Sequence, residues 1–380
     1  MINKKRYMEY LNSREVKRPI YKVELLRRDE TVKKELTSKV ISGSGSVQIE
    51  NQNGVRRTSD FILIPTSEDR KYFSNLALGD KFKLWVGYNI DGEDYFPSPA
   101  GVFVFDNPTF MSMPDDKTIQ ITGSDKWSVL NGENGGILEA TYTVEAETPI
   151  KDFIVRTLNL SIVNDPVPPV IDIRLLEMKT TYEITKSAGE TVADLLLDVA
   201  ENLNAEIYYD QFGRLNIWSI TDDMHKASLF DFNNDSVAYF GGQKEYNLRD
   251  IYNAVMVIAD NPQNKDVPFE SFAVNNDLSD KNSVPNLGFT KTLVVTDRTD
   301  GISTQEQCDD RAFWELKKAK IRYSTVDLEG LMVPHLDVNQ ICTITDPELM
   351  SDRERFLVMS ITHTIGEASS SYAVSKAVSY

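Results

Sequence analysis

Two widely separated stretches of the chain carry the same β-pattern, and this repetition constrains the fold more than any other feature. The first runs Leu78-Gly79-Asp80-Lys81-Phe82-Lys83-Leu84, crosses a Gly/Asp/Pro-rich connection, resumes at Val102-Phe103-Val104-Phe105 and continues to Thr118-Ile119-Gln120-Ile121-Thr122. The second runs Val338-Asn339-Gln340-Ile341-Cys342-Thr343-Ile344, crosses a connection holding Asp346-Pro347, resumes at Phe356-Leu357-Val358-Met359 and continues to Ser371-Tyr372-Ala373-Val374-Ser375. Alternation of period two is what a half-buried strand needs, because successive side chains point to opposite faces. The pattern predicts two similar small antiparallel β-barrels. Copies of such a chain would place twice as many similar units around an axis.

A chain of 380 residues is long for one core and predicts two or three domains. The expected class is α+β, mainly β, with an α+β insert between the barrels. Residues 1–18 read as a polar N-terminal arm, loose until a partner orders it. Residues 19–146 read as β-barrel domain I, with strands Tyr21–Leu25, Val47–Ile49 and Val55–Ile64 before the repeated unit. Asn53-Gly54 predicts a type I′ hairpin turn, and Ser124–Leu130 a short helix with Trp127 inward.

The insert spans 147–235. Thr148 as N-cap and Pro149 at the first helical position start a helix with Ile150, Phe153, Ile154 and Leu158 on one face. Asp165-Pro166-Val167-Pro168-Pro169 is a stiff connection. Thr191 and Asp194 form a capping-box-like pair before the stripe Val192, Leu195, Leu196, Val199 and Leu203. A hairpin over 205–218 turns at Gln211-Phe212-Gly213. Residues 236–380 read as β-barrel domain II. They include a strand over Tyr252–Ile258 pairing with Phe272-Ala273-Val274, a strand from Tyr323, and a helix at about 303–320 opened by a Ser303/Glu306 capping box. Cys308, Ala312, Leu316 and Ala319 form its inward stripe.

Composition narrows the function. No apolar run approaches the roughly 20 residues of a membrane-spanning helix, and no apolar stretch follows Lys4-Lys5-Arg6 to make a secretory signal. Assembly in a cytosol and no membrane insertion are expected. Cys308 and Cys342 are the only cysteines, so disulfides do not hold the fold. A net charge of −17 opposes general nucleic-acid binding, which needs a basic patch. The basic segments at Lys4–Arg6 and Arg14–Arg18 read as a solvated tail or docking arm. In a protein lining a DNA passage, an acidic surface favours transit over sticking.

Catalysis finds little support. His225, His335 and His363 with Cys308 and Cys342 could supply metal ligands, but none of them are paired at structural-zinc spacing. Cys308 near a helix start could gain thiolate character, with His335 or His363 as its base. Its place on an apolar stripe, and the inward place of Cys342 in a strand, instead make both small core residues. Asp115-Asp116, Asp222-Asp223 and Asp309-Asp310 fit turns and a helix start rather than a sugar-cleaving pair. Gly43-Ser44-Gly45-Ser46 lacks the Gly-Lys-Ser/Thr of a phosphate loop. Tyr88, Tyr95 and Phe96 in a loop could make a glycan-binding face, although core and interface duty is the commoner use of aromatics. No catalytic, cofactor or metal residue is assigned. The Gly43–Gly45 loop, the 88–100 loop and the N-terminal arm are expected partner contacts.

The chain resembles the tail or baseplate hub proteins of tailed bacteriophages and phage-tail-like bacteriocins. The likeness rests on Gly45-Ser46-Val47-Gln48-Ile49 with Gly54-Val55-Arg56-Arg57-Thr58, on the Leu78-Gly79-Asp80 strand entry with Gly101-Val102-Phe103, and on Thr122-Gly123-Ser124-Asp125-Lys126-Trp127. Near the C-terminus, Met332-Val333-Pro334-His335-Leu336-Asp337-Val338 matches a Pro-x-Leu-x-x-Gly-Asp-like entry, with Asn339-Gln340 in place of Gly-Asp. The resemblance implies a virion protein without enzymatic activity: a homotrimer whose two barrels per chain make a pseudo-six-fold ring. That ring would join the tail tube and distal tail proteins to a spike or tail tip, with phage DNA passing the central channel unbound. The rival readings are a tail-associated cell-wall hydrolase using Cys308 and a receptor-binding module using the loop around Tyr95.

Overall fold

The computed structural model describes residues 2–36, 39–41, 43–113, 117–180, 183–218, 226–246, 248–260, 267–296, 302, 304–321 and 324–376. Helix α1 (Lys4–Asn12) precedes β1 (Pro19–Leu26), β2 (Val32–Glu35), β3 (Lys39–Val40), β4 (Ser46–Glu50) and β5 (Arg57–Ile64). Helix α2 (Ser67–Phe73) leads to β6 (Lys81–Ile90), β7 (Glu93–Phe105), β8 (Thr109–Phe110) and β9 (Ile119–Asp125). A 3₁₀ turn at Lys126–Val129 opens the middle region: β10 (Tyr142–Val144), α3 (Ile150–Leu158), β11 (Val170–Ile171), β12 (Ile184–Lys186), α4 (Val192–Asn202), β13 (Glu206–Tyr209) and β14 (Leu215–Trp218). Next come β15 (Phe230–Asn233), β16 (Tyr239–Tyr246), β17 (Ala254–Ala259), β18 (Phe269–Val274), α5 (Val284–Leu287), β19 (Thr292–Val295) and α6 (Gln305–Ile321). The chain closes with β20 (Ser324–Leu331), β21 (Ile341–Asp346), β22 (Ser351–Thr364) and β23 (Ser369–Lys376).

The fold is α+β and mainly β. Among the described residues its main sheet has 15 strands, with the path β16-β20-β23-β22-β4-β5-β9-β7-β6-β1-β2. The two repeated stretches form antiparallel meanders in this sheet, β6–β7–β9 and β21–β22–β23. Their entry turns match bond for bond. In the first, the Asp80 carboxylate accepts from Ala77 N (2.9 Å) and Phe105 N donates to Asp80 O (3.1 Å). In the second, the Gln340 side chain accepts from Asp337 N (2.9 Å) and Val358 N donates to Gln340 O (2.9 Å). The meanders are joined where β22 pairs with β4, placing Ile361 opposite Ile49. One buried core, including Phe61, Phe82, Phe103, Val358, Ile361 and Tyr372, lies under both.

Two smaller units branch from the sheet. In the first, α3 and α4 pack with the β13–β14 hairpin around Phe153, Leu195, Leu196 and Ile207. The Thr191/Asp194 capping box forms as expected. The second lies between β16 and β20. There β17 pairs antiparallel with β18, as expected, and parallel with β19, while α6 covers Val255 and Val257 with Cys308, Ala312 and Leu316.

Several local expectations are corrected. The connection after Leu84 is no loop: β6 and β7 continue through it to a two-residue turn at Asp91 (φ 54°) and Gly92 (φ 85°). Pro97 and Pro99 fit because that part of β7 pairs on one side only, so their missing donors face no ladder. Asn53-Gly54 makes no tight hairpin turn. It docks on the insert instead, with Asn53 Oδ1 accepting from Ile207 N (3.0 Å) and Gly54 bridging Tyr208. Within residues 1–18, α1 is not loose, because Tyr7, Tyr10 and Leu11 are buried in the main core. Pro149 rather than Thr148 is the N-cap of α3, and the Thr148 hydroxyl donates to Glu145 O (2.7 Å). The capping box of α6 falls one residue later than predicted, between Thr304 and Gln307 (3.2 Å each way). Ser303 and Tyr323 lie outside the described residues.

Candidate functional site: a buried charged junction

The segments that carry the sequence resemblance meet in space. At the end of β9, Asp125 accepts hydrogen bonds from Arg56 N (2.8 Å), Arg57 N (3.0 Å) and Trp127 N (3.0 Å). It thereby ties the start of β5 to the 3₁₀ turn. Burial pushes its carboxyl up to about 6, although the three N–H donors and Arg57 pull the other way. Arg57 occupies an inward position of β5, in phase with Phe61 and Leu63. Its guanidinium reaches Ala100 O (3.2 Å) and Tyr209 O (3.5 Å) and pairs with Asp337. Burial alone would weaken its charge, and the Asp337 carboxylate more than offsets that.

Arg56 turns to the insert. It donates to Gln52 O (2.6 Å), pairs with Glu206 (3.0 Å) and stacks on Tyr208, 3.4 Å from the ring centroid. The Asn339 side chain donates to the same Glu206 carboxylate. Beside them, Lys126 pairs with Asp165 (2.7 Å) and Glu30 (2.7 Å) and donates to Gly213 O (2.8 Å). Tyr209 donates to Asp165 (2.7 Å), and Lys81 also pairs with Glu30 (2.7 Å). Burial and the Asp165 carboxylate hold the Tyr209 phenol well above its ordinary range.

Both sheet halves and the insert are therefore locked by desolvated ion pairs. Against apolar residues of like volume such pairs roughly break even, but losing one partner leaves a buried charge. The arrangement suits fixed geometry and register. With these charges engaged in protein contacts, it offers no activated nucleophile. Sequence reasoning used Arg56, Arg57, Asp125 and Lys126 only as motif residues. The available signal was Arg57 at an inward phase of an alternating strand.

The candidate chemical residues take no part in the hydrogen bonds and ion pairs of this junction. Cys308 faces the core from α6, with Val257 O at 3.8 Å from Sγ, and burial pushes its thiol up to about 11. That is opposite to what a nucleophile needs. Cys342 is fully buried in β21, its thiol pushed up to about 12. His335 bonds the Tyr7 hydroxyl through Nδ1 (2.9 Å) and meets the Phe230 ring edge-on, and burial lowers its pKa. His363 bonds Ser370 (2.7 Å), and burial lowers it to about 4. His225, Asp115-Asp116 and Asp222-Asp223 lie outside the described residues. Among the described residues, no group of three or more His, Cys, Asp or Glu is placed to hold a metal.

The proposed aromatic loop is corrected as well. Tyr88 is a core residue of β6 that donates to Met332 O (2.7 Å), and Tyr95 packs on Tyr7 at 5.1 Å. Phe96 faces Trp85 under Lys22. These rings present no glycan-binding loop. In the Gly43–Gly45 loop, Gly43 N and Gly45 O bond Ile365 (2.6 and 2.9 Å). A Cβ on Gly45 would lie 2.0 Å from Asp60 O, so this loop is a close packing element.

Comparison with solved structures places the fold. The 43 kDa tail protein of prophage MuSo2 from Shewanella oneidensis superposes with a TM-score of 0.59 at 14% identity, over 94% of this chain and 98% of that one. A tail protein from Neisseria meningitidis gives 0.61 at 10% identity, over 94% and 96%. A prophage tail protein from Listeria monocytogenes gives 0.55 at 9% identity, over 93% and 94%. No family model and no curated protein matches the sequence. The chain thus has the fold of phage tail proteins, and the resemblance read from the sequence holds at that level.

Proposed function

We propose that the chain is a structural hub of a phage tail or baseplate, forming a trimeric, pseudo-six-fold ring that joins the tail tube to the spike or tail tip. The observation that carries this reading is the pair of matched meanders held in one sheet through the pairing of β4 with the long strand β22. Each would be the core of one barrel domain, at 19–146 and 236–380, with 147–235 as the insert. Three chains would repeat the β4–β22 style of contact around an axis. Strand edges exposed in one chain, at β2 and β16, would find neighbours there. The full-length likeness to three phage tail proteins supports a virion protein assembled in the host cytoplasm.

On this reading the protein is not an enzyme. The buried, raised Cys308 thiol supports that against the cell-wall hydrolase alternative. The fully buried Tyr88 and the Tyr95–Tyr7 packing argue against the receptor-binding alternative. The test is electron microscopy of the protein, alone and with its tube and spike partners, in axial view. A three-fold ring with six similar lobes and a central opening is expected. Particles that stay single lobed units even with both partners present would overturn the reading.

A further inference from the structure

The small sheet β18–β17–β19 is engaged on one side and open on the other. Helix α6 packs across β17 and β18, and on the β18 side Gln305 Nε2 donates to Glu270 O (2.9 Å). Among the described residues β19 pairs with β17 alone, in parallel and without a bulge. Its sequence, Thr292-Leu293-Val294-Val295, is aliphatic on both faces. Leu293 and Val295 reach the core under α6 but stay half-buried, and Val294 is 54% exposed. Two cross-strand rows run out at this edge. One is Ala273–Val255–Leu293 on the α6 face. The other is Phe272–Met256–Val294 on the opposite face, where Phe272 is 53% exposed as well.

A strand apolar on both faces has the pattern of a sheet interior, with neighbours on either side. Edges that stay free are normally guarded by charge, proline or a bulge, because their N–H and C=O groups otherwise pair with another strand. The two ends of the main sheet follow that rule. Strand β2 carries Lys33, Lys34 and Glu35, and β16 has a bulge between Tyr239 and Gly241 followed by Lys244 and Glu245. Strand β19 has none of these guards. In a chain with 26% charged residues, the stretch 289–296 contains one, Lys291, and its ammonium is turned onto Arg249 O.

We infer that β19 is the docking edge for an extended, uncharged segment of another tail protein, which adds beside it as a fourth strand and carries both apolar rows onward. This rests on the hub reading and names a partner surface that reading leaves open. A second copy of this chain fits less well. Pairing β19 with β19 is a two-fold contact, which does not close a three-fold ring. A head-to-tail contact would set the charged edge of β2 or β16, or the α6-engaged β18, against an uncharged strand.

The test measures hydrogen exchange over β18 and β19 in the isolated wild-type protein and in purified wild-type tail particles. Photo-cross-linking is then followed in particles carrying Val294→p-benzoylphenylalanine, with Phe313→p-benzoylphenylalanine, at an exposed position of α6, as the control. Exchange over β19 slowed severalfold in the particle, with β18 unchanged, is expected, together with a cross-link from position 294 but not 313 to a different tail protein. Tails that contain the protein and exchange β19 as fast as the isolated chain would overturn this inference and leave the hub reading standing. So would a cross-link from position 294 to a second copy of this chain, since the edge would then be a contact between protomers. Purified tails lacking the protein would overturn the hub reading as well.

Discussion

Gly79 and Asn339 hold the same left-handed backbone, φ 79° and 62°, at matching points of the two meander entries. Glycine adopts this conformation without strain, and asparagine is among the few other residues that visit it readily. Asn339 therefore replaces glycine in the second copy without changing the turn, and its amide adds a bond to Glu206. The departure from the Gly-Asp motif is a substitution that the backbone permits.

From this follows a stability difference at one site. A Cβ on Gly79 meets nothing within 4 Å, so Gly79→Ala isolates the conformational cost. It should destabilise by about 1–2 kcal/mol, with Gly79→Asn losing less. Urea unfolding of the three proteins measures both; equal midpoints would remove the conformational explanation.

Arg57 and Asp337 link β5 to the second meander entry, and their removal should be strongly non-additive. Arg57→Met should cost about 3–5 kcal/mol, because Asp337 and Asp125 lose their buried counter-charge. Asp337→Asn should cost a similar amount. The double variant should cost less than the sum of the two. A double-mutant cycle by denaturant unfolding gives the coupling directly, and strict additivity would show the pair to be uncoupled.

Much of this architecture was legible in the sequence. The repeated strands, the Thr191 capping box and the inward stripe of α6 all follow from period and cap chemistry. The misreadings have one physical source: a local signal overruled by tertiary packing. Asn53-Gly54 has turn chemistry but is pulled onto Ile207 and Tyr208 of the insert. Asp91-Gly92 carries an equally good turn signal, masked by the prolines that follow it. The polar character of 1–18 hid Tyr7, Tyr10 and Leu11, which fall on one side of α1. The junction was not legible as a site, because the partners of Arg56, Arg57 and Lys126 lie far away in sequence, at Glu206, Asp337 and Asp165.

Stability should depend on pH through His363. Burial lowers its pKa from 6.5 to about 4, so between these values the folded protein holds fewer protons than the unfolded chain. Folding is then stabilised as pH rises from about 4 to 6.5, by up to about 3 kcal/mol. Asp125, raised from 3.8 to about 6, acts in the opposite sense over its own window. The His363 contribution is therefore read as the difference between wild type and His363→Gln. That difference should change with pH below 6.5 and level off above it. A constant difference from pH 4 to 7 would contradict the buried neutral imidazole.

Both thiols should be inert in the folded protein. Cys308 and Cys342 are buried and their thiols are pushed up to about 11 and about 12, while alkylation requires the thiolate and access to it. Iodoacetamide at pH 8 should modify neither until urea unfolds the chain, and modification should then follow the unfolding curve. Cys308→Ala should keep whatever assembly activity the protein has and lose only modest stability, since the residue is a small core group against Val255 and Val257. Cys308→Ser should lose more, because it buries a hydroxyl in that apolar setting. Rapid labelling of Cys308 in the native protein would reopen a chemical role for it, and a Cys308→Ala variant that assembled normally would still exclude that role from the hub function.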